Sequence, residues 1–291
     1  MLSVLITTYN YFTFPLIKTI HKQLLKIQID FEIICIDDGS KSSINIENKQ
    51  INTLVNARFK TLPKNIGRSA LRNLLVKKAQ YDWLLFLDGD VMPTSTNFIS
   101  KYINCINKES LLFCGGIQYN DEENTQLLRW KIGKKSEEIP SVERQKEPYK
   151  YFFTSNFLCK KTIFNKVQFS EKLTKYGYED LLFSLDLKKY TLKIEHINNP
   201  AFHLGIDTNE QFIEKTKSAL KNLIYLIKRN QIKKEDTKIT FLFFRLKKIG
   251  ITTLFYQFLS FFEEKAVKKS SSFYFQLFRL GYLHQVIKNQ K

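Results

Sequence analysis

The sequence predicts an α/β domain with a mainly parallel central sheet, followed by a C-terminal helical extension. In the first ninety residues, short apolar runs of strand character alternate with longer segments whose apolar residues recur at helical spacing. From Asn209 onward the pattern is instead helical and rich in phenylalanine. We therefore expect two regions, an α/β domain over residues 1–208 and a basic, Phe-rich helical extension over residues 209–291.

The predicted elements of the α/β region follow one another regularly. They are strand Leu2–Thr8, helix Pro15–Ile27, strand Phe31–Ile36, strand Ala57–Leu62, helix Ile66–Ala79 and strand Trp83–Leu87. Because the carboxyl ends of parallel strands meet at one edge of an open sheet, and ligands bind there, we expect a binding crevice at this edge.

Residues 110–200 are less regular. A charged interval from Lys131 to Lys150 has few apolar residues, which predicts a mobile surface loop. Tyr151–Lys160 is predicted as a strand, and Asp180–Leu187 as a helix entered from the segment that begins at Gly177.

The composition is that of a globular protein, with 43% hydrophobic and 25% charged residues. The four cysteines, at positions 35, 105, 114 and 159, have neither close pairing nor metal-finger spacing. We therefore expect small core residues in a reducing, cytoplasmic compartment. The N-terminus enters a strand directly, without signal-peptide features, and no apolar run reaches the roughly 18 residues that span a bilayer.

The net charge of +18 is unevenly distributed, because residues 211–291 contain 17 Lys and Arg but only 5 Asp and Glu. Such a surface attracts anionic lipid, nucleic acid or acidic glycan, although a Lys-rich background composition is an alternative. Phenylalanines beside basic residues are typical of a helix that lies in a membrane interface; packing on the α/β domain or in a dimer explains the same pattern. We expect no nucleic acid partner, since no motif accompanies the charge. The basic residues concerned are Arg245, Lys247, Lys248, Lys265, Lys268 and Lys269.

The apolar run Trp83–Leu87 ends in Asp88-Gly89-Asp90, which is the most specific chemical signal in the chain. Two carboxylates on a short turn suit Mn²⁺ or Mg²⁺, cations that share their coordination with substrate phosphates. A polar turn after a buried strand explains the same tripeptide.

Four segments together resemble glycosyltransferase family 2, which has the Rossmann-like GT-A fold. They are Ser3-Val4-Leu5-Ile6-Thr7-Thr8-Tyr9-Asn10, Asp37-Asp38-Gly39-Ser40, Asn65-Ile66-Gly67-Arg68-Ser69-Ala70-Leu71-Arg72-Asn73 and Leu87-Asp88-Gly89-Asp90. The segment Tyr176-Gly177-Tyr178-Glu179-Asp180 is similar to the Gly-x-Glu-Asp segment of chondroitin-polymerase-like and galactosyltransferase-like members. The resemblance covers about residues 2–206, and it departs from the family where the usual Ala-Arg-Asn order appears as Ala70-Leu71-Arg72-Asn73.

The resemblance implies that the strand ends bind a nucleotide sugar. Tyr9 would stack on a pyrimidine ring, and the Thr7 backbone and the Asp38 carboxylate would hydrogen-bond the uracil edge. Asp37 is interpreted as a cap that shapes the turn before Asp38. Asp88 would lie near the ribose.

The resemblance also implies that Asp90 ligates the metal. His203 is a second candidate metal ligand, whose imidazole would favour Mn²⁺ over Mg²⁺, and Asp88 is a third. Arg68 and Arg72 lie one helical turn apart, so either one approaches the diphosphate; a solvated helix face is the alternative for both.

By the same resemblance, Asp180 is the catalytic base that removes the proton of the acceptor hydroxyl. Glu179 would hydrogen-bond the acceptor, and its charge would raise the pKa of one of the two adjacent carboxyls. Asn156 is a further acceptor-binding candidate. An acidic helix N-terminus, favoured by the helix dipole alone, is the structural alternative for Glu179 and Asp180.

These features predict an inverting, metal-dependent glycosyltransferase that uses a nucleotide diphosphate sugar, in particular a UDP-sugar, to extend a glycan or a lipid-linked acceptor in surface polysaccharide biosynthesis. We expect it in the cytoplasm, with peripheral attachment to the inner face of the membrane as one option. A sugar nucleotidyltransferase is an alternative, but it would carry a Gly-rich phosphate loop that Thr7-Thr8-Tyr9-Asn10 lacks. A non-catalytic glycan-binding or assembly subunit is the other alternative.

Overall fold

The computed structural model describes residues 1–106, 108–173 and 176–289, and the chain divides into two compact units. The first unit consists of Met1–Asn120, Ser136–Thr174 and Glu179–Gly205. The second consists of Asp121–Lys135, Lys175–Tyr178 and Ile206–Lys291. The division of the chain into domains at residues 208 and 209 stays a prediction.

The first unit contains a seven-stranded sheet in the order β3-β2-β1-β4-β8-β6-β9 and a three-stranded sheet in the order β5-β10-β7. In the large sheet every described neighbouring pair is parallel except those that β8 forms with β4 and β6. This confirms the predicted α/β class with a mainly parallel sheet. The strands are β1 (Leu2–Thr8), β2 (Phe31–Asp37), β3 (Ala57–Thr61), β4 (Trp83–Asp88), β5 (Val91–Pro93), β6 (Leu112–Cys114), β7 (Ile117–Gln118), β8 (Asn156–Lys160), β9 (Glu195–His196) and β10 (Ala201–His203).

The helices, numbered in chain order over the described residues, fill both units. They are α1 (Phe14–Ile27), α2 (Ile44–Asn48), α3 (Arg68–Lys78), α4 (Phe98–Ile103), α5 (Leu128–Ser136), α6 (Ser141–Lys146), α7 (Glu179–Lys189), α8 (Asn209–Lys228), α9 (Lys238–Lys248), α10 (Ile251–Gln257), α11 (Leu259–Lys268) and α12 (Ser272–Lys288). Short 3-10 helices occupy Lys49–Thr53, Lys161–Asn165 and Lys234–Asp236.

The core of the first unit is aliphatic around β1 and β2 and aromatic toward α7. The strands β1 and β2 are buried along nearly their whole length, as expected for strands that helices cover on both faces. Phe86 of β4 stacks on Phe157 of β8 with ring centroids 4.6 Å apart. All four cysteines are buried and free, which confirms the prediction that they are small core residues.

The prediction of a mobile loop over Lys131–Lys150 was wrong, because this interval contains most of α5 and all of α6. Arg144 of α6 is only 2% exposed, and its guanidinium donates to the carbonyl groups of Cys114, Gly115 and Ile197 and contacts Nδ1 of His196. A charged residue rather than an apolar one anchors this segment. The predicted strand Tyr151–Lys160 was too long, since β8 begins at Asn156.

The second unit is helical, as predicted from Asn209 onward. Thr208 and Gln211 form a capping box at the start of α8. Asn209 accepts a hydrogen bond from the backbone of Leu128 and donates one to the carbonyl of Val267, both at 2.8 Å, which ties α5, α8 and α11 together. In the described part of the chain, we find no helix whose length and apolar content would allow it to cross a membrane.

Candidate functional site

Polar side chains gather where β1, β2 and β4 end. Thr8 of β1 pairs in register with Asp37 of β2, and Thr7 pairs with Asp88 of β4. Residues that lie far apart in sequence therefore meet at one edge of the sheet, as the alternation of strands and helices predicts.

Asp88 is held by an arginine and a threonine. Nη2 of Arg72 donates to Oδ1 of Asp88 at 2.9 Å, and Oγ1 of Thr7 donates to the same oxygen at 3.0 Å. Burial acts to raise the pKa of Asp88, but the positive charges of Arg72 and Arg68, together with the two hydrogen bonds, outweigh it and lower the pKa. Asp88 is therefore an ionised carboxylate in a fixed position.

Arg72 has a hydrogen-bond donor to spare. Its side chain is 1% exposed, and Nη1 has no hydrogen-bond partner among the described residues. A buried donor without a partner costs free energy unless something else accepts its hydrogen bond. An anionic ligand at this edge of the sheet would supply that acceptor.

Aromatic packing connects Arg72 with α7. The guanidinium carbon lies 5.4 Å from the ring centroid of Phe169, and Phe169 stacks on Phe183 of α7 with centroids 4.1 Å apart. Asn73 fixes the backbone of Phe169, since its side chain donates to the carbonyl at 2.9 Å and accepts from the amide at 3.1 Å. The helix α7 is thus held in a defined position relative to α3.

Asp90 and His203 face each other. Nε2 of His203 lies 3.7 Å from Oδ2 of Asp90, and the backbone of Leu204 donates to the carbonyl of Asp90 at 2.8 Å. Gly205 allows this approach, because a Cβ atom at this position would lie 2.3 Å from Oδ2 of Asp90. The antiparallel pairing of β5 with β10 sets the arrangement, since it places His203 opposite Val91.

The Asp90 and His203 pair fits a divalent cation that takes its other ligands from phosphate. Nδ1 of His203 is buried and has no hydrogen-bond partner among the described residues. The described part of the chain contains no group of three or more His, Cys, Asp or Glu side chains that could hold a metal ion alone. Two protein ligands are sufficient for Mg²⁺ or Mn²⁺ at a phosphate site.

The two carboxylates at the end of β2, Asp37 and Asp38, accept hydrogen bonds from the backbone. Oδ1 of Asp38 accepts from the amide of Ile66 at 2.8 Å, and Oδ2 accepts from the amide of Gly67 at 3.0 Å. Burial nevertheless raises the pKa of Asp38 above its usual range. Asp37 accepts from the amide of Ser40 at 2.8 Å, which confirms the interpretation of Asp37 as a turn-shaping residue.

Tyr9 and Arg68 lie at the solvent side of the same edge. Tyr9 follows β1 and is 56% exposed, so that its ring is accessible to a ligand. Arg68 is the first residue of α3, and its charge contributes to the lowered pKa of Asp88. The helix begins after Gly67, whose φ of +87° favours glycine.

Glu179 and Asp180 are the first two residues of α7, and Oγ1 of Thr154 donates to Oδ1 of Asp180 at 2.9 Å. Burial and then the negative charge of Glu179 raise the pKa of Asp180 to about 6, against the opposing effects of Arg72 and Thr154. The direction of this shift agrees with the expectation from two adjacent carboxylates. Asp180 is therefore suited to accept a proton near neutral pH.

Asn156 has a structural environment. It is 1% exposed, its Oδ1 accepts from the hydroxyl of Tyr102 at 2.6 Å, and its Nδ2 donates to the carbonyls of Gly116 and Asn199. The three hydrogen bonds hold β8 against the segment after β6. The predicted contact of Asn156 with an acceptor stays a prediction.

Sequence reasoning missed the residues that position the site. Asn73 lies in the segment Ala70-Leu71-Arg72-Asn73 quoted for the family, but the sequence does not indicate the contacts of Asn73, Thr154, Phe169 or Gly205. For Gly205 a weak signal was available, because it closes the Phe202-His203-Leu204-Gly205 segment that also carries the candidate ligand His203. For Phe169, one of 25 phenylalanines, nothing in the sequence distinguishes it from the others.

The model of glycosyl transferase family 2 matches residues 3–170, which is more than half of the chain and includes the Asp88-Gly89-Asp90 motif. The chain belongs to glycosyl transferase family 2. This confirms the resemblance drawn from the four strand-end segments, and it identifies the chain as a glycosyltransferase-type enzyme.

Two curated relatives of this family-2 chain are polysaccharide synthases. The hyaluronan synthase of Pasteurella multocida is 24% identical over 268 residues, which cover 79% of this chain and 27% of the synthase. The chondroitin synthase of Escherichia coli is 26% identical over 221 residues, which cover 64% of this chain and 32% of the synthase. The chain therefore spans about a quarter to a third of the length of these relatives.

Solved structures support the GT-A fold of this family-2 chain. The glucosyl-3-phosphoglycerate synthase of Mycobacterium tuberculosis, solved in complex with Mn²⁺, UDP and glucosyl-3-phosphoglycerate, matches with a TM-score of 0.54 and 15% sequence identity. The match covers 77% of this chain and 79% of the synthase. At this identity the similarity establishes the fold.

Proposed function

We propose that this family-2 chain is an inverting, metal-dependent glycosyltransferase that moves a sugar from a nucleotide diphosphate sugar to a hydroxyl group of the acceptor. The observation that carries the proposal is the placement of three carboxylates in different states. Asp88 is ionised and held by Arg72, Asp90 faces His203, and Asp180 has a raised pKa. Family membership favours this function over a sugar nucleotidyltransferase and over a non-catalytic glycan-binding subunit.

The proposed donor is a UDP-sugar. The exposed ring of Tyr9 offers a stacking surface for uracil, and the backbone of Thr7 and the Asp38 carboxylate lie at the same strand ends. Arg72, with its unpartnered Nη1, and Arg68 would contact the diphosphate. The UDP complex of the mycobacterial relative supports this assignment.

Asp90 and His203 are proposed to hold the divalent cation, with Mn²⁺ preferred because one ligand is an imidazole. Asp88 is assigned to the ribose rather than to the metal by the resemblance to the family, and Arg72 and Thr7 fix its carboxylate through Oδ1. The bound cation would neutralise the charge that develops on the departing diphosphate. The Mn²⁺ in the mycobacterial relative supports a metal-dependent reaction.

Asp180 is proposed to remove the proton of the acceptor hydroxyl while its oxygen attacks the anomeric carbon. The new bond joins the acceptor oxygen to that carbon, the bond to the diphosphate breaks on the opposite face, and the proton moves to Asp180. Thr154 orients the carboxylate, and Glu179 would hydrogen-bond a second acceptor hydroxyl. Attack on the face opposite the leaving group inverts the anomeric configuration.

The proposed acceptor is a growing glycan or a lipid-linked sugar in surface polysaccharide biosynthesis. The hyaluronan and chondroitin synthases among the relatives support this class of acceptor.

The test is a panel of UDP-sugars with the purified full chain and Mn²⁺, in which release of UDP is measured. We expect release from at least one donor, and a loss of about 100-fold in Asp90→Ala, since removing a ligand weakens the metal site. Asp30→Ala is the matched control, because Asp30 is an exposed aspartate just before β2 begins, at the edge of the sheet opposite the site. Absence of turnover for every donor, together with absence of Mn²⁺-dependent UDP binding by calorimetry, would overturn the proposal.

A further inference from the structure

The second unit exposes a group of aromatic rings, which we call the aromatic patch. Its members are Phe255, Phe258, Phe261, Phe262, Phe273 and Tyr274, from α10, the junction of α10 with α11, α11 and α12. Phe258, Phe261 and Phe273 are 52%, 45% and 68% exposed. Together these three side chains present on the order of 300 Å² of aromatic surface, taking about 200 Å² for a whole phenylalanine.

The rings of the aromatic patch form one continuous surface. Phe262 lies at the centre, since its ring centroid is 6.3 Å from those of Phe255 and Phe258, 5.8 Å from that of Phe261 and 6.4 Å from that of Tyr274. Tyr274 in turn contacts Phe273, with centroids 5.6 Å apart. A contiguous exposed apolar surface indicates an interaction site, whereas scattered exposed residues do not.

The charges around the aromatic patch are positive after the ion pairs are taken into account. Glu214 and Glu263 both pair with Lys217, and Glu264 pairs with Lys268. Nζ of Lys265 lies 5.4 Å from the ring centroid of Phe261, and within residues 176–289 neither Lys265 nor Lys269 forms an ion pair. Lys217, Lys265, Lys268 and Lys269 thus outnumber Glu214, Glu263 and Glu264, and the patch lies in a region, 211–291, whose net charge is +12.

We infer that the aromatic patch docks on the surface of an anionic lipid membrane. Phenylalanine side chains enter the boundary between headgroups and acyl chains, while neighbouring lysines attract anionic headgroups, and the two effects reinforce each other. The inference extends beyond glycosyl transfer, because it concerns where the chain is held rather than what it catalyses.

A second copy of this chain is a poorer occupant of the aromatic patch. Two copies that met through this surface would bring two regions of charge +12 together, and their repulsion opposes association. An anionic membrane instead attracts both the rings and the lysines. Charge complementarity therefore favours the lipid surface.

The test is cosedimentation of the purified full chain with phosphatidylcholine vesicles that contain roughly 30 mol% phosphatidylglycerol, and with pure phosphatidylcholine vesicles. We expect binding to the anionic vesicles that weakens as the salt concentration rises. The double variant Phe258→Ser with Phe273→Ser should lower the partition constant at least about tenfold, since both side chains lose their insertion into the interface.

Matched controls separate the aromatic patch from general surface effects. Ile46→Ser with Val142→Ser removes two exposed apolar side chains, 71% and 73% exposed, from the first unit and should leave binding unchanged. Lys265→Gln with Lys269→Gln should weaken binding to anionic vesicles, whereas Lys60→Gln with Lys77→Gln removes two exposed lysines of the first unit and should have a smaller effect.

Three results would overturn the inference. They are absence of wild-type binding to anionic vesicles, equal binding to neutral vesicles, and equal binding of the patch variant and its control. Light scattering that shows a dimer, lost only in the patch variant and without lipid binding, would assign the patch to self-association instead. Circular dichroism verifies that each variant is folded, and because UDP release is not the readout, a failed inference would leave the proposed function untouched.

Discussion

Asp88 at the end of β4 and Asp180 at the start of α7 are both partly buried, yet their pKa values shift in opposite directions. Burial acts to raise the pKa of both carboxyls. At Asp88 the guanidinium groups of Arg72 and Arg68 outweigh burial, while at Asp180 the carboxylate of Glu179 adds to it. Neighbouring charge therefore separates a fixed anion at the sheet edge from the carboxyl group that we propose as the proton acceptor on the helix.

Arg72 affects both Asp88 and Asp180. It donates a hydrogen bond to Asp88, and its charge lowers the pKa of Asp88 and opposes the rise in the pKa of Asp180. Through Phe169 and Phe183 it also packs toward the helix that carries Asp180. Substitutions at Asp180, at Arg72 and at Gly205 test whether the two carboxylates have separate functions.

The largest effect is expected for Asp180→Asn. The amide keeps the size of the side chain and can still accept the hydrogen bond of Thr154, but it cannot take a proton. We expect kcat for transfer to fall about 1,000-fold, within the range for loss of a general base, with the Kd for UDP unchanged. Steady-state kinetics with donor and acceptor, and calorimetry with UDP, measure the two quantities.

Asp186→Asn is the matched control for Asp180→Asn, because Asp186 lies on the same helix and pairs with Lys189 at the surface. It should leave kcat within about twofold of wild type, as expected for an exposed pair. If the two variants lost activity equally, the difference between Asp88 and Asp180 would carry no catalytic meaning.

Arg72→Met comes next, because it changes both carboxylates at once. Asp88 loses its charged partner, and we expect kcat/KM to fall about 100-fold. The free energy of unfolding should decrease by about 2 kcal/mol, which is less than for a fully buried pair because Asp88 is partly exposed. The pKa of Asp180 should rise further, since a nearby positive charge is removed. Kinetics across pH and urea unfolding measure these effects, and Lys189→Met, which breaks a surface pair on α7, should change neither.

Gly205→Ala tests the proposed metal ligands, Asp90 and His203, and leaves Asp180, the proposed base, unchanged. The added Cβ would lie 2.3 Å from Oδ2 of Asp90, so the carboxylate must move away from His203. We expect the Mn²⁺ concentration for half-maximal activity to rise between about 10-fold and 100-fold. In an Asp90→Ala background, Gly205→Ala should not raise the required Mn²⁺ concentration further, because the carboxylate that it displaces is already absent. A further rise would mean that Gly205→Ala acts on a group other than Asp90.

The same comparison shows what sequence can predict. Asp88, Asp90, Tyr9 and Asp38 follow apolar strands directly, and the rule for parallel sheets brings such residues to one edge. Glu179 and Asp180 were predicted through a short motif, and their adjacency alone suggests the raised pKa. Strand ends and sheet topology therefore predict where charged side chains gather, whereas the roles of Glu179 and Asp180 come from the resemblance to the family and stay predictions.

The contacts that tune those charges could not be predicted. The cation–π contact of Arg72 with Phe169 joins residues 97 positions apart, and Gly205 matters only because Asp90 lies beside it. The buried Arg144 is a similar case, since its carbonyl partners lie at the end of β6, in the residue after β6 and in the residue after β9. The charged interval around it forms helices where the sequence predicted a loop. Such contacts depend on tertiary packing, which leaves no periodic signal in the sequence.

The smallest expected effect is the pH dependence of the unmodified enzyme. A base works only when deprotonated, and the pKa of Asp180 is raised to about 6, so kcat/KM should be level above pH 7 and fall tenfold per pH unit well below pH 6. Asp88, whose pKa is lowered, stays ionised throughout this range and should add no second limb. Arg72→Met should move the limb to higher pH. A limb near the ordinary aspartate value of about 4 would mean that burial and Glu179 do not act on Asp180, and the contrast with Asp88 would then lose its physical basis.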